Sequence, residues 1–441
     1  MKRTLAIIIL FGLFSLLITF PHTPIFSVKN PIDQSVYQYV GNRILEGSVP
    51  YSDAWDHKQP LIYFIYAGAT FLTGKTIWGI WLIEFICLWS TGVLSFLLLN
   101  KFCPKFFSTI CILVALFTIS SLMGISNPEQ LALPFYVLSL LLFQQINTKN
   151  PITRSSKVYS LFLGITFACC FFLKQSLISI PVAICFYYFI KILTQKRWDL
   201  LRNFIYIVFG FLLVSIIILG YLLLNKALPD YWNASFVFNF LYSDTGLMEK
   251  INSVFDQLEI ITAIPTLITA FGLWIGFLIG LFIAWIPGFF SVMKNHFVKS
   301  STIFLGVAII LFIFVVQRIT RDSSFGLIQI TGLILGSIIV IIGLLGSYIK
   351  PQPDNQHLES FKRWNDEVLS YHGLFEISVL SFPIVLFFIS ISGEHYHYYN
   401  NTFYPTVILI FGIFLSLISK YLEKQNQKLL LNITVAGLAV A

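Results

Sequence analysis

Charge is what this chain of 441 residues has least of: 28 Lys and Arg with 20 Asp and Glu make up only 11% of it, against about 25% in an ordinary soluble domain. So little charge cannot keep a folded surface in water. With 57% hydrophobic residues and repeated apolar runs of about 17 or more residues, the chain reads as an all-α polytopic membrane protein. Cysteine is scarce too. The six present, Cys87, Cys103, Cys111, Cys169, Cys170 and Cys185, form no C-x-x-C pair, which argues against a disulfide framework or a zinc site and for buried soft hydrophobes. Low-complexity segments, internal repeats, a soluble domain and a glycine-rich nucleotide-binding loop are all missing. The first apolar run, 4–20, is followed by PHTPIF without an A-x-A pattern, so it reads as a membrane anchor and not as a cleaved signal peptide. The net charge of +8 sits in short loops between apolar runs, the distribution of the positive-inside rule and not a nucleic-acid footprint.

What is present sorts into about 12 spans: 4–20, 77–99, 106–125, 130–147, 158–173, 176–193, 204–225, 260–290, 302–317, 326–348, 374–391 and 404–420. The run 429–441 is too short to cross. Basic loops such as 100–105, 191–202 and 294–301 fall in the cytoplasm. Alternation then puts 21–76, 127–129, 174–175, 226–259, 318–324 and 393–403 outside. The run 61–73 has 13 apolar residues, and a crossing there would invert every later loop, so it reads as interfacial or re-entrant. Two regions follow: 1–225 with its large outer loop, and 226–441 with outer loops 226–259, 318–324 and 393–403.

The loop 21–76 is the densest in charge. From Lys29 to Lys58 it holds seven of the 48 charged residues, and loops carry function more often than scaffolds do. Asn30-Pro31 should cap a helix, with Ile32, Val36, Val40 and Ile44 on one face and Gly47 after its end. Asp33, in its first turn, fits two readings, a carboxylate facing the helix dipole or a catalytic acid at the membrane surface. The segment YSDAWDHKQP packs Asp53, Asp56, His57 and Lys58 among aromatics. It reads as interfacial anchors with snorkelling charges or as a polar site, with Lys58 a point charge for phosphate. Glu129 in SNPEQLALP caps a helix or is functional; Glu84, deeper in a span, reads as a structural hydrogen-bonding group. Lys174, Arg318 and Arg321 are outer cations against the positive-inside trend, which fits an anionic lipid phosphate or pairing with Asp33 or Asp322. In GEHYHYY, His395 and His397 are one residue apart, but no third ligand is near in sequence. A divalent metal stays open and no ligand set is assigned; tyrosines there also fit an interfacial belt.

These motifs in this order resemble the polyprenyl-phosphate-sugar-dependent glycosyltransferases of the GT-C fold, the membrane transferases related to protein O-mannosyltransferases and the lipid A aminoarabinose transferase. The likeness rests on Asp33-Gln34…Tyr37, on Pro50-Tyr51…Trp55-Asp56-His57-Lys58-Gln59-Pro60-Leu61, on Glu129 before the fourth span, and on Gly393…His397-Tyr398…Pro405. It covers residues 1–200 well and the remainder by topology. Two departures stand out: the usual acidic pair is Asp33-Gln34, and the usual second proline is Gln59. The resemblance implies a GT-C-like bundle whose first extracytoplasmic loop carries interfacial helices. It also implies inverting transfer of a sugar from a polyprenyl-phosphate donor to an envelope glycan, lipid or protein acceptor outside the cell membrane. Asp33 would be the general base with Glu129 second; Lys58, Arg318, Arg321 and Lys174 would bind donor phosphate; His57, Tyr37, Asp56, His397 and Tyr398 would line the substrate. The competing class is a lipid or polysaccharide transporter, which requires paired charges near the mid-membrane.

Overall fold

The computed structural model describes residues 2–26, 32–121, 126–148, 153–243, 246–283, 371, 373–391, 393–394 and 396–424. Among them every regular element is helical and no strand occurs, as hydrocarbon dictates: only a helix satisfies its own backbone polar groups without water or a closed barrel. The helices are α1 (Lys2–Thr19), α2 (Ile32–Leu45), α3 (Pro60–Thr73), α4 (Trp78–Leu99), α5 (Lys105–Ser121), α6 (Pro128–Leu131), α7 (Leu133–Asn147) and α8 (Arg154–Leu173). After these come α9 (Ser179–Gln195), α10 (Leu200–Leu224), α11 (Leu228–Trp232), α12 (Asn239–Tyr242), α13 (Leu247–Ala263), α14 (Pro265–Ile283), α15 (Leu374–Ser390) and α16 (Tyr404–Lys424).

Six stretches are long and apolar enough to cross a membrane: Leu5–His22, Trp78–Leu99, Arg154–Leu173, Gln175–Gln195, Leu200–Leu224 and His397–Ser419. This is a membrane protein. The expected number of about twelve stands at six among the described residues. The spans expected at 302–317 and 326–348 lie outside them, and those at 106–125, 130–147 and 374–391 form helices of 17, 15 and 17 residues. Helix α3, the run expected to lie at the interface, has 14 residues, about 21 Å at 1.5 Å per residue, which falls short of the ~30 Å of hydrocarbon. Pro60 opens it and Gly74, at φ +71°, closes it.

The chain divides into two compact units. The first comprises Met1–Leu98, Ala115–Gln257 and Pro383–Pro405. Within it α8 and α10 approach so closely that a Cβ on Gly164 would lie 1.9 Å from the Ile207 carbonyl oxygen, and one on Gly210 2.0 Å from that of Leu161. Small residues that admit a neighbouring backbone are how helices associate where lipid is as apolar as leucine. Helix α2 meets α3 in the same way at Gly41, where a Cβ would sit 2.7 Å from the Ala67 amide nitrogen. The buried face of α2 is therefore Gln34, Tyr37, Val40 and Gly41, not the expected Ile32-Val36-Val40-Ile44 stripe; Ile32 is 84% exposed. Apolar residues point outward here because the flat close-approach surface is built from Gly41 and aromatic rings. Gly47 follows the helix end at φ +88°, and Ser48 N–H returns to the Arg43 carbonyl at 2.9 Å. The expected Asn30-Pro31 start lies outside the described residues. Glu84 is buried in α4, and both its oxygens lie 3.0–3.1 Å from His22 Nδ1, the structural pairing its depth implies.

The second unit comprises Leu99–Val114, Leu258–Phe382 and Thr406–Ala441. Its described part is held by Trp274, whose indole N–H donates to the Val379 carbonyl at 2.9 Å and whose ring stacks on Phe382 at 4.9 Å. Ser416 Oγ donates to the Phe102 carbonyl at 2.7 Å. All six cysteines are free.

Candidate active site

The loop from Glu46 to Gln59 is wound tightly in the first unit. Tyr51 takes a left-handed backbone, φ +74°, costly for a residue with a Cβ. The turn is fixed by its N–H donating to the Ala54 carbonyl at 2.9 Å, while its buried phenol donates to the Lys58 carbonyl at 2.8 Å. Asp56 is buried. It accepts from Tyr63 Oη at 2.9 Å and from the His57 backbone N–H at 2.8 Å, and its Oδ1 lies 3.3 Å from His57 Nδ1. Burial pushes the Asp56 carboxyl up, but the His57 and Tyr63 hydrogen bonds outweigh it and leave the carboxyl below its usual range. With a proton on Nδ1 facing Asp56, His57 Nε2 presents its lone pair to Lys58 Nζ, 2.9 Å away. Three consecutive residues thus form an Asp–His–Lys chain.

A segment that sequence reasoning missed braces this chain. Between α11 and α12 the backbone widens to a π-helix, Asn233–Phe238, a form that often marks functional sites. From it Ser235 Oγ donates to the Lys58 carbonyl at 3.1 Å, and Asn239 Nδ2 just beyond it donates to the His57 carbonyl at 2.9 Å. Gln59, in place of the expected second proline, is fully buried and accepts from Tyr231 Oη at 2.8 Å. A proline could not make that bond. The only sequence sign of this brace is the i, i+4 spacing of Ser235 and Asn239.

The opposite side comes from Asn127-Pro128-Glu129. Gln34, in place of the expected second acid, donates through Nε2 to Asn127 Oδ1 and so ties α2 to this turn. Tyr66 Oη adds a 3.0 Å bond to the Ser126 carbonyl. Glu129 is buried, and its Oε1 lies 2.6 Å from Lys174 Nζ, which sits 4.0 Å over the Tyr399 ring. Among the described residues Lys174 therefore takes Glu129 as its partner, not Asp33; Asp322 lies outside them. Burial pulls its ammonium down, but the Glu129 carboxylate and Tyr399 outweigh that and hold it above the ordinary lysine value. Glu129 Oε2 has no partner among the described residues. A cavity of about 30 Å³ beside it, lined by Lys174, Tyr399 and Thr402 among others, has room for about one water.

The charges of these segments act on one another. Burial, and then the charge of Lys174, push the Lys58 ammonium below its ordinary value, while Asp56, Glu129 and Asp33 pull it up. The Tyr37 phenol is driven upward by burial first, then by Asp33, Glu129 and Asp56, and its oxygen has no partner among the described residues. Tyr398 lies within electrostatic reach of Glu129 and Asp33. Asp33 is exposed at the start of α2 and has no hydrogen bond or ion pair among the described residues. His397 is exposed too, and its carbonyl accepts from Asn400 at 3.2 Å. Arg318 and Arg321 lie outside the described residues. No three of His, Cys, Asp and Glu among the described residues gather as a metal site.

The family model described as "Putative competence-induced protein Ccs4 N-terminal domain" matches residues 1–402. The chain belongs to the Ccs4 N-terminal domain family. Every site residue above, from Asp33 to Tyr399, lies within the match, so the constellation belongs to the Ccs4 domain itself. A comparison with curated proteins found no match. Among solved structures, the chain is similar to the oligosaccharyltransferase of Archaeoglobus fulgidus, crystallised with zinc and sulfate: 14% identity, 85% of this chain and 53% of that one covered, TM-score 0.35. The chain spans about half the length of that protein, and a likeness at this level assigns neither a fold family nor an activity.

Proposed function

We propose that this Ccs4-family chain is a membrane glycosyltransferase that moves a sugar from a polyprenyl phosphate to an acceptor hydroxyl on the extracytoplasmic side. What supports the reading is the geometry of Lys58, 2.9 Å from His57 Nε2 beside buried Asp56, and of the Glu129–Lys174 pair at 2.6 Å, with the charges of Asp33, Glu129 and Lys174 all acting on Lys58. Transfer needs a base on one side of the anomeric carbon and a cation on the other. Glu129 is held by Lys174, whereas Asp33 is exposed and has no ion pair among the described residues, so Asp33 takes the role of base. The acceptor oxygen attacks the anomeric carbon with inversion and its proton passes to Asp33. The bond to the phosphate oxygen breaks with its electron pair, and the departing phosphate is stabilised by Lys58. A desolvated ammonium aimed by His57 gains most from an incoming anion, because the phosphate replaces the water it lost. The sugar–phosphate bond supplies the driving force, consistent with the missing nucleotide-binding loop. Arg318 and Arg321 remain candidates for the same phosphate, and the acceptor is an envelope glycan, lipid or protein. The test is to incubate purified protein with a panel of polyprenyl-phosphate sugars and follow release of the polyprenyl phosphate. Release from one donor supports the reading; release from none, with the protein folded, overturns it.

A further inference from the structure

Six rings run in sequence from the surface of the first unit toward the charged site. Trp55, 57% exposed, meets Phe238 edge-on at 5.1 Å. Phe238 lies 5.3 Å from the His57 ring and stacks with Tyr242 at 6.3 Å and 15°. Tyr242 also faces His57 at 6.2 Å and reaches the Tyr396 phenol. Tyr396 stacks on Tyr398 at 5.3 Å and 11°, and Tyr398 ends within reach of Glu129 and Asp33. The six come from three separate outer segments, two from each, so the course exists only in the folded chain. The π-helical widening that braces Lys58 also sets Phe238 beside His57, joining the aromatic course to the Asp–His–Lys chain.

We infer that this course is a glycan-binding track that seats an oligosaccharide acceptor with its terminal hydroxyl at Asp33. The inference rests on the transferase reading for what happens at the inner end, but the track binds without it. A pyranose offers an apolar C–H face to a ring and hydroxyls at its rim. Trp55, Tyr242, Tyr396 and Tyr398 each carry an N–H or O–H at their edge, while the His57 N–H faces Asp56, and the indole N–H of Trp55 has no partner among the described residues. An isoprenoid chain would use none of those donors. An interfacial belt needs rings that point separately into the headgroups, whereas these contact one another edge-on, tilted or stacked. Neighbouring Phe240 and Leu241, 72% and 65% exposed, lack such donors.

The test uses the full chain in nanodiscs without any donor. Saturation-transfer NMR is recorded with soluble gluco- and manno-hexasaccharides and with the corresponding monosaccharides. The track predicts that at least one hexasaccharide binds at least tenfold more tightly than its monosaccharide. It also predicts that Trp55→Ala or Tyr242→Ala weakens binding at least tenfold and that Trp55→Phe, which keeps a ring but loses the indole N–H, restores only part of it. Both side chains are more than half exposed, so the variants should fold, which a thermal melt checks. Failure of every hexasaccharide to bind, or equal binding by wild type and both variants, would overturn the track. So would a photoactivatable isoprenyl phosphate that labels Trp55 and is not displaced by hexasaccharide, which would give the surface to the lipid. Hexasaccharide binding in a chain that releases no polyprenyl phosphate would keep the track and refute the transferase reading; the reverse pattern would do the opposite.

Discussion

Removing the Lys174 ammonium should expose how much the first unit depends on one ion pair. In Lys174→Met the stem is nearly kept and the charge is lost, leaving Glu129, 2% exposed, without its partner. At 2.6 Å and an effective dielectric of about 20, the gross attraction is about 6 kcal/mol. Much of that offsets the cost of taking both charges out of water, so the pair itself is worth little against an apolar isostere. Breaking one side of a buried pair nevertheless costs about 3–5 kcal/mol. Lys174 keeps 19% side-chain exposure, which lets water reach Glu129 and puts the expectation near 3 kcal/mol. The loss of the cation over Tyr399 adds about 0.5–1 kcal/mol. The assay is thermal unfolding of purified protein in detergent, with wild type, Lys174→Met, Glu129→Gln and the double variant. Lys174→Met should melt well below wild type, and adding Glu129→Gln should recover most of the difference. A single variant that melts like wild type, or a double variant no better than the single, would refute the argument.

Three further expectations concern orientation, charge and packing. A cysteine at exposed Ser52, in a background without the native six, should react with a membrane-impermeant reagent in intact cells; protection there with labelling in inverted vesicles would reverse the topology. Donor affinity should fall as pH rises through the Lys58 value, which burial and Lys174 set below the ordinary lysine range, because the ammonium is charged below that value and neutral above it. Lys58→Ala should abolish this alkaline limb and weaken donor binding about tenfold or more; a limb that survives the substitution belongs to another group. Gly210→Ala should cost about 1–3 kcal/mol, because its Cβ would enter the space of the Leu161 carbonyl, whereas Gly220→Ala, with nothing within 4 Å, should be neutral or stabilising. Equal melts for the two variants would contradict the close approach of α8 and α10.

The sequence made legible what depends on composition and near neighbours. Apolar run length announced a membrane protein. The adjacency of Asp56, His57 and Lys58 fitted interfacial anchors as well as a polar site, and the order of the hydrogen bonds between them did not show. Pairings across the fold were hidden, because nothing local marks them. Glu129 and Lys174 are 45 positions apart, and Gln59 and Tyr231 are 172 apart. The two departures from the glycosyltransferase pattern illustrate this: Gln34 and Gln59 read as weakened motif positions, yet each is a buried amide bonded to a distant segment. The α2 stripe misled because periodicity locates an apolar face without saying whether protein or lipid covers it. Gly41 and the Tyr37 ring, set against Tyr66 at 5.6 Å, decided which face is buried.

The central claim, that Asp33 takes the acceptor proton during sugar transfer, is tested most directly by Asp33→Asn. With the donor identified by polyprenyl-phosphate release, single-turnover rate and donor affinity are measured side by side for wild type and variant. The account predicts loss of transfer by at least the 10²–10⁴-fold typical of a general base, with donor affinity nearly unchanged. Full single-turnover activity in Asp33→Asn would contradict it.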